Sequence, residues 1–351
     1  MKIDKEELAN KLAKVKNVVP SRTTIPVLQN VLLSNGYLTA TDTQLALQVI
    51  LEGSEGERML IPSSAFDLIS SLPDGEIDIS NDDPRQLMVR NDMMNVSYAV
   101  QEIDDFPAVE WTDKDATNAS VDAQKFQRCL KSVSYAMGRT ANRMMDSVNL
   151  SCENGKLSFA ALDGRQIAWD ETSYEGKFEM SIPRNAVATL IRLDLKGEMQ
   201  ITLSKSAASF RTKEYIISTR LLEGAFFQYQ KLFPADTPIN AAVNRAEFLD
   251  AVSRAGMCAD KMKPIVLEFS GEHVKITSRG AQTDYGEYVG LLDEIEHPIK
   301  IGIDPNLLRT AVNNFTMGEV HIGLIGPKNP VIMTEEGSSL KELLLPVNIG
   351  A

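Results

Sequence analysis

The sequence predicts an α+β protein made of three tandem copies of one unit, each with two helices packed on antiparallel sheets. Two observations carry this. The first is a segment that recurs. In VDAQKFQRCLKSVSY, residues 121–135, Phe126, Cys129, Leu130 and Val133 fall at i, i+3, i+4 and i+7 and form one apolar stripe, with Lys125, Arg128 and Lys131 on the opposite side. MKIDKEELANKLAKV repeats the plan with Leu8, Leu12 and Val15 against Lys11 and Lys14, and VNRAEFLDAVSRA repeats it with Phe248, Val252 and Ala255 against Arg245 and Arg254. The second observation is spacing. Leu8 and Phe126 lie 118 residues apart, Phe126 and Phe248 lie 122 apart, and the markers Ile61, Ile182 and Ile303 are separated by 121 and 121. A period near 120 is that of whole domains, not of a solenoid repeat. The units fall at 1–117, 118–240 and 241–351.

Each unit holds a second helix. SSAFDLISSL, RNAVATLIRL and PNLLRTAVNNF follow the isoleucine markers, and each opens on the proline or capping side chain that a helix N-terminus prefers. Alternating runs of half-buried strand character fill the space between helices. GYLTATD, GKLSFAALD and HVKITS follow the first helix of each unit, and EIDIS, MQITLS and VHIGLI follow the second. Turns at Pro73-Asp74-Gly75, Glu153-Asn154-Gly155 and Gly326-Pro327 separate them. Strands arriving consecutively between single helices favour antiparallel sheets with the helices on one face, not a βαβ nucleotide-binding sheet.

At 351 residues, with 43% hydrophobic and 24% charged residues, the chain reads as an ordinary globular protein of two or three domains. No run approaches the roughly 18 apolar residues of a membrane span, and charges occupy the first dozen positions where a signal peptide would be apolar, so a cytoplasmic location is expected. Cys129, Cys152 and Cys258 are too far apart for a zinc site and odd in number for a disulfide framework. A net charge of -12 argues against indiscriminate adhesion to nucleic acid but says nothing of how charge is spread over individual faces.

No catalytic constellation emerges. His273, His297 and His321 lack metal-ligand spacing, phosphate-binding and nucleophile-elbow glycine motifs are missing, and the pairs Asp82-Asp83 and Asp104-Asp105 sit beside prolines where solvated turns explain them. Neither a catalytic residue, a metal nor a cofactor is expected.

The segment Arg22-Thr23-Thr24-Ile25-Pro26-Val27-Leu28, the loop Leu162-Asp163-Gly164-Arg165 and the closing LLLPVNI occur together with the three duplicated units. This combination resembles the bacterial DNA sliding clamp, the beta subunit of DNA polymerase III holoenzyme, over the whole chain. The resemblance implies a non-catalytic processivity factor: a head-to-tail homodimer whose six domains form a ring, helices lining the hole and sheets outside. Such a ring holds double-stranded DNA by topology, so an acidic chain suffices provided the inward helices are basic. Lys11, Arg22, Lys125, Arg128, Lys131, Arg139, Arg143, Arg184, Arg192 and Arg254 are the candidate DNA contacts, and screening over ~10 Å at 0.1 M salt confines the effect of an acidic exterior to the outside.

Carried over position by position, the resemblance also implies a partner-peptide pocket at Leu162, Gly164, Arg165, Gln166, Ile167, Phe227, Lys231, Leu232, Leu345, Pro346, Val347 and Asn348. Burying one Leu or Phe anchor there is worth ~1.5 to 3 kcal/mol, so a few anchors give exchangeable, micromolar binding. Phe227, Leu162 and Asn348 depart from the proline, threonine and arginine usual in the family, and Asp146 replaces an apolar residue. At the subunit contact, Val96 and Tyr98 of one copy would meet Met257 and Cys258 of the other. Implied partners are the polymerase III alpha subunit, the clamp-loader complex, other polymerases, ligase and mismatch-repair proteins, with no membrane. Two readings of other classes compete: an enzyme with carboxylates such as Asp163 converging on a small-molecule site, and an interaction hub without a DNA role.

Overall fold

The computed structural model describes residues 1–109, 111, 116–260 and 263–349. Among them are six α-helices: α1 (Lys5–Val15), α2 (Phe66–Ser71), α3 (Ala123–Ser134), α4 (Arg184–Arg192), α5 (Arg245–Cys258) and α6 (Pro305–Asn314). All six coincide with the predicted apolar-periodic segments. The first helix of each repeat starts the same way. Asp4 accepts from the Glu7 amide at 3.0 Å, Asp122 from the Lys125 amide at 2.8 Å, and Asn244 from the Ala246 amide at 3.0 Å, each satisfying an amide that the first helical turn leaves unpaired.

The chain forms two compact units. One comprises Met1–Gln127 with Asn185–Glu223, and the other Arg128–Arg184 with Gly224–Ala351. In the first unit, Lys2–Asp4, Glu76–Ser80, Gln86–Asn91 and Met94–Ala99 form a four-stranded sheet in that order. Arg58–Pro62, Asn30–Ser34, Tyr37–Thr41, Leu45–Ile50, Tyr215–Arg220, Ala207–Arg211, Glu198–Leu203 and Thr117–Asp122 form an eight-stranded one. This second sheet joins two repeats, because Leu45 stands opposite Thr219 and Leu47 opposite Ile217. α1 packs on α2 and on strands Tyr37–Thr41 and Leu45–Ile50, burying Leu8, Leu12 and Val15. Phe126 reaches the same unit's Phe210, with ring centroids 5.7 Å apart.

The second unit repeats the joint. Gln166–Ser173 pairs with Lys341–Leu344, Gln166 opposite Leu344 and Ile167 opposite Leu343, within a ten-stranded sheet. α5 and α6 pack together over a core that includes Phe248, Val252, Phe269, Leu308 and Phe315. All strand pairs among the described residues are antiparallel, as the consecutive strands predict.

Equivalent turns recur as well. Asn35-Gly36 and Asn154-Gly155 have φ of 52° and 78°, and 54° and 77°, the left-handed pairs that a two-residue hairpin requires and that Asn-Gly adopts most readily. After the hairpins, Asp42 Oδ1 accepts from the Gln44 and Leu45 amides at 2.9 and 2.7 Å. Asp163 Oδ1 accepts from the Arg165 and Gln166 amides at 2.8 and 3.0 Å. These aspartates lead the chain into the two strands that make the joints.

Candidate functional site

At the second joint the surface opens into a cavity of about 270 Å³, lined by Met145, Leu162, Gly164, Arg165, Gln166, Ile167, Phe227, Leu232, Pro330, Leu343 and Leu345. Its floor is fixed by the sheet. Leu162 ends one strand, Gln166 and Ile167 open the next, and Leu343 stands opposite Ile167. Gly164 turns the intervening loop at a φ of 88°, a conformation in which a Cβ would be strained. The Leu345 amide donates to the Arg165 carbonyl at 2.8 Å and carries the terminal segment along the rim.

The opposite wall comes from the 3-10 turn Tyr229–Leu232. Trp169, Tyr229, Phe226, Phe227 and Phe233 support it with edge-to-face contacts, including Trp169 to Phe233 at 5.3 Å and Phe226 to Phe227 at 5.6 Å. Leu232 is left 56% exposed and Leu345 41% exposed. Two exposed leucines over an apolar floor form a surface able to take an apolar side chain. Arg165 brings polarity to the rim, with Nη1 3.2 Å from Oδ2 of Asp304, the N-cap of α6.

Eight of the twelve expected pocket residues line this cavity: Leu162, Gly164, Arg165, Gln166, Ile167, Phe227, Leu232 and Leu345. Lys231, Pro346, Val347 and Asn348 lie outside its wall; Val347 is turned instead to the Gly302 carbonyl, to which its amide donates at 2.7 Å. Met145, Pro330 and Leu343 are additions, the first two of which sequence spacing does not point to. Leu343 is within reach of sequence reasoning, since it alternates with Leu345 along one strand face.

The first joint shows what fills the same place elsewhere. Thr219 opposite Leu45 corresponds to Leu344 opposite Gln166, so Arg220 corresponds to Leu345. There, the Arg220 guanidinium lies 5.1 Å from the centroid of the Trp111 ring. In the first joint, the place of the exposed Leu345 is therefore taken by a cation stacked on an aromatic ring.

The basic candidates divide into two groups. Lys11, Arg22, Lys125, Lys131, Arg139, Arg143 and Arg192 make no ion pair with any described carboxylate. Lys125, Arg128 and Lys131 occupy successive i+3 positions on the exposed face of α3. Arg128 also reaches Asp170 Oδ2 at 3.5 Å. The others are tied to the fold. Arg184 binds Asp146 and donates to the Met137 and Gly138 carbonyls at 3.0 and 3.1 Å, and Arg254 binds Glu287 through both Nε and Nη2, at 3.0 and 2.7 Å.

Two of the unpaired strand edges among the described residues bear on the expected subunit contact. Met94–Ala99, which carries the half-buried Val96 and Tyr98, ends the four-stranded sheet. Residues 284–290 pair with residues 273–279 on one side alone. At the end of α5, Met257 is 80% exposed and Cys258 half-buried. No described helix is long and apolar enough to cross a membrane.

Three models of one family match the chain in tandem: the N-terminal domain of the DNA polymerase III beta subunit over residues 1–110, its central domain over 120–228 and its C-terminal domain over 230–348. The chain belongs to the DNA polymerase III beta subunit family. Within that family it is 25% identical to a beta sliding clamp of Pseudomonas putida, with 96% of each chain covered, and 21% identical to one of Bacillus subtilis, with 98% of each covered. A DNA polymerase III subunit beta from Pseudomonas aeruginosa superposes with a TM-score of 0.92 at 24% identity, covering 99% of both chains. A sliding clamp from the same organism bound to griselimycin gives 0.93 at 24%, again over 99% of both. The three family models account for the threefold repeat, and the α+β class with antiparallel sheets is that of the beta subunits.

Proposed function

We propose that the chain is a non-catalytic DNA sliding clamp, two copies of which close head to tail around double-stranded DNA. The observation that carries this reading is the repeated joint. Leu45–Ile50 of the first repeat pairs with Tyr215–Arg220 of the second, and Gln166–Ser173 of the second pairs with Lys341–Leu344 of the third. Residues 284–290 are the next member of the first series, and Met94–Ala99 is the first member of the other, each with an unpaired edge. An unpaired strand edge is a template for another chain. A third joint between residues 284–290 of one copy and Met94–Ala99 of the second uses both edges, brings Val96 and Tyr98 to Met257 and Cys258, and forms twice in a closed dimer.

Duplex DNA threaded through such a ring is held by topology. Lys11, Arg22, Lys125, Arg128, Lys131, Arg139, Arg143 and Arg192 supply the positive charge toward phosphate, with Arg184 and Arg254 serving first to fix their own helices. The cavity between Leu232 and Leu345 takes an apolar peptide anchor from a partner: the polymerase III alpha subunit, the clamp loader, other polymerases, ligase or mismatch-repair proteins, where the chromosome is copied in the cytoplasm. Griselimycin bound to the Pseudomonas clamp is a ready probe for this cavity.

The test is retention on DNA. A solution mass twice that of the 38.7 kDa chain is expected, with the protein retained on a nicked circular duplex and released on linearisation. Equal retention on circular and linear DNA would rule out topological binding.

A further inference from the structure

Leu343 lines the cavity, and the residue before it faces the other way, as neighbours on a strand must. That residue is Glu342, a carboxylate with no exposed surface at all. The Tyr135 hydroxyl donates to its Oε2, and Asn314 Nδ2 donates to Oε1 at 2.9 Å. The same Asn314 nitrogen donates to the Ser132 carbonyl at 2.6 Å. Glu342 therefore joins the end of α3 in the middle repeat to the end of α6 in the third, directly behind the cavity wall.

We propose that Glu342 and Tyr135 are positioning residues of the cavity, and that a neutral carboxyl group at Glu342 fixes the strand on which Leu343 and Leu345 are presented. The proposal rests on the cavity being the peptide site. The charged and titratable groups around Glu342 explain why it is the group that stays neutral. From α3 come Arg128 and, just beyond the helix, Tyr135; from strand Gln166–Ser173 comes Asp170; α6 offers the uncharged Asn314. Asp170 is fully buried too, but it accepts from Ser132 Oγ at 2.7 Å and Ser339 Oγ at 2.5 Å, and Arg128 lies 3.5 Å away. Its charge is met. Glu342 meets only neutral donors, with no cation within ion-pair distance among the described residues.

Burial pushes the Glu342 carboxyl up from its ordinary 4.5 to about 8; the Asp170 charge adds to this, while the hydrogen bonds from Tyr135 and Asn314 hold it down in part. Ionisation would place a second negative charge in the same buried joint as Asp170. The Tyr135 and Asn314 donors offset only part of that charge and no cation reaches it among the described residues, so relief requires strand Lys341–Leu344 to move, and the cavity wall with it.

The experiment measures griselimycin affinity by calorimetry from about pH 6.5 to 9.5 for the full-length protein and for Glu342→Gln and Tyr135→Phe. If only the neutral form presents the wall, the wild-type dissociation constant rises about tenfold per pH unit above about 8. Glu342→Gln loses that dependence, and Tyr135→Phe, which keeps the carboxyl and removes one donor, moves the midpoint upward. Infrared difference spectra should show a protonated carboxyl band at pH 7 that vanishes by about pH 9 and is missing in Glu342→Gln. A wild-type affinity flat to pH 9.5, the same fall in Glu342→Gln, or no such band at pH 7 overturns the proposal. If griselimycin binds at no pH, the peptide reading of the cavity fails, and hydrogen exchange at the Leu343 and Leu344 amides then decides the strand's dependence on Glu342. Exchange that quickens above about pH 8 in wild type beyond the rise in Glu342→Gln supports it, and identical profiles overturn it.

Discussion

Asp42 and Asp163, one repeat apart, hold equivalent turns by equivalent bonds: each carboxylate caps the amides two and three residues ahead. Only Asp163 stands next to the cavity, and it also receives Gln166 Nε2 at 3.2 Å. Replacing either residue by alanine should cost about 1 kcal/mol of stability for the missing turn bonds. Griselimycin affinity should fall in Asp163→Ala and hold in Asp42→Ala. Equal affinity in both variants would mean that the Gly164 loop does not shape the site.

The unpaired cations should matter to DNA and not to the fold. Lys125→Ala with Lys131→Ala should leave unfolding free energy within about 0.5 kcal/mol of wild type, since both side chains are exposed and without an ion pair. If both lysines face phosphate, the slope of log affinity against log salt should flatten by roughly 0.9 for each lysine removed. Arg254→Ala should do the reverse, loosening the Glu287 and Tyr285 network on the outer strand, with a smaller change in salt slope.

Cysteine chemistry offers a direct reading of the subunit contact. Burial pushes the Cys129 thiol up to about 12 and raises that of Cys152, so neither should alkylate in the folded protein at neutral pH. Cys258, half-buried at the end of α5, should be the thiol that reacts. Its alkylation rate should fall as protein concentration rises through the dimer dissociation constant, and Tyr98→Lys should abolish that dependence. A rate independent of concentration would place Cys258 outside the contact.

Stability should fall with rising pH on account of Glu342. Its carboxyl is raised in the folded chain, so between the ordinary 4.5 and about 8 the unfolded state has given up a proton that the folded state keeps. The contribution is full below about 4.5, declines across that window and is gone above about 8. Urea titrations at intervals across it should show a steeper loss in wild type than in Glu342→Gln.

The helices are legible in the sequence because each is amphipathic at a period of 3.6, and their N-caps Asp4, Asp122 and Asn244 stand at the repeat spacing. Each strand named from alternation overlaps an observed strand, four of the six overrunning it by a residue at one or both ends. The joints are not legible: Leu45 and Thr219 are far apart in sequence, and no local pattern specifies that pairing. The same limit hides Met145 and Pro330, loop residues that reach the cavity from distant stretches. Arg184 and Arg254 read as solvent-facing charges because their partners Asp146 and Glu287 lie outside their own helices. In KELLLPV, Glu342 reads as the polar residue of a terminal strand, and only the approach of Tyr135 and Asn314 shows it to be a fully buried carboxylate of the joint.

The stack of Arg220 on Trp111 makes the two joints of one chain unequal. Each chain has two internal joints of one strand pairing, yet in the first an arginine stacked on an aromatic ring stands where the second has an exposed leucine. Two chains closed into a ring would then present two such apolar cavities, one per chain, and every partner that uses them would have to share those two.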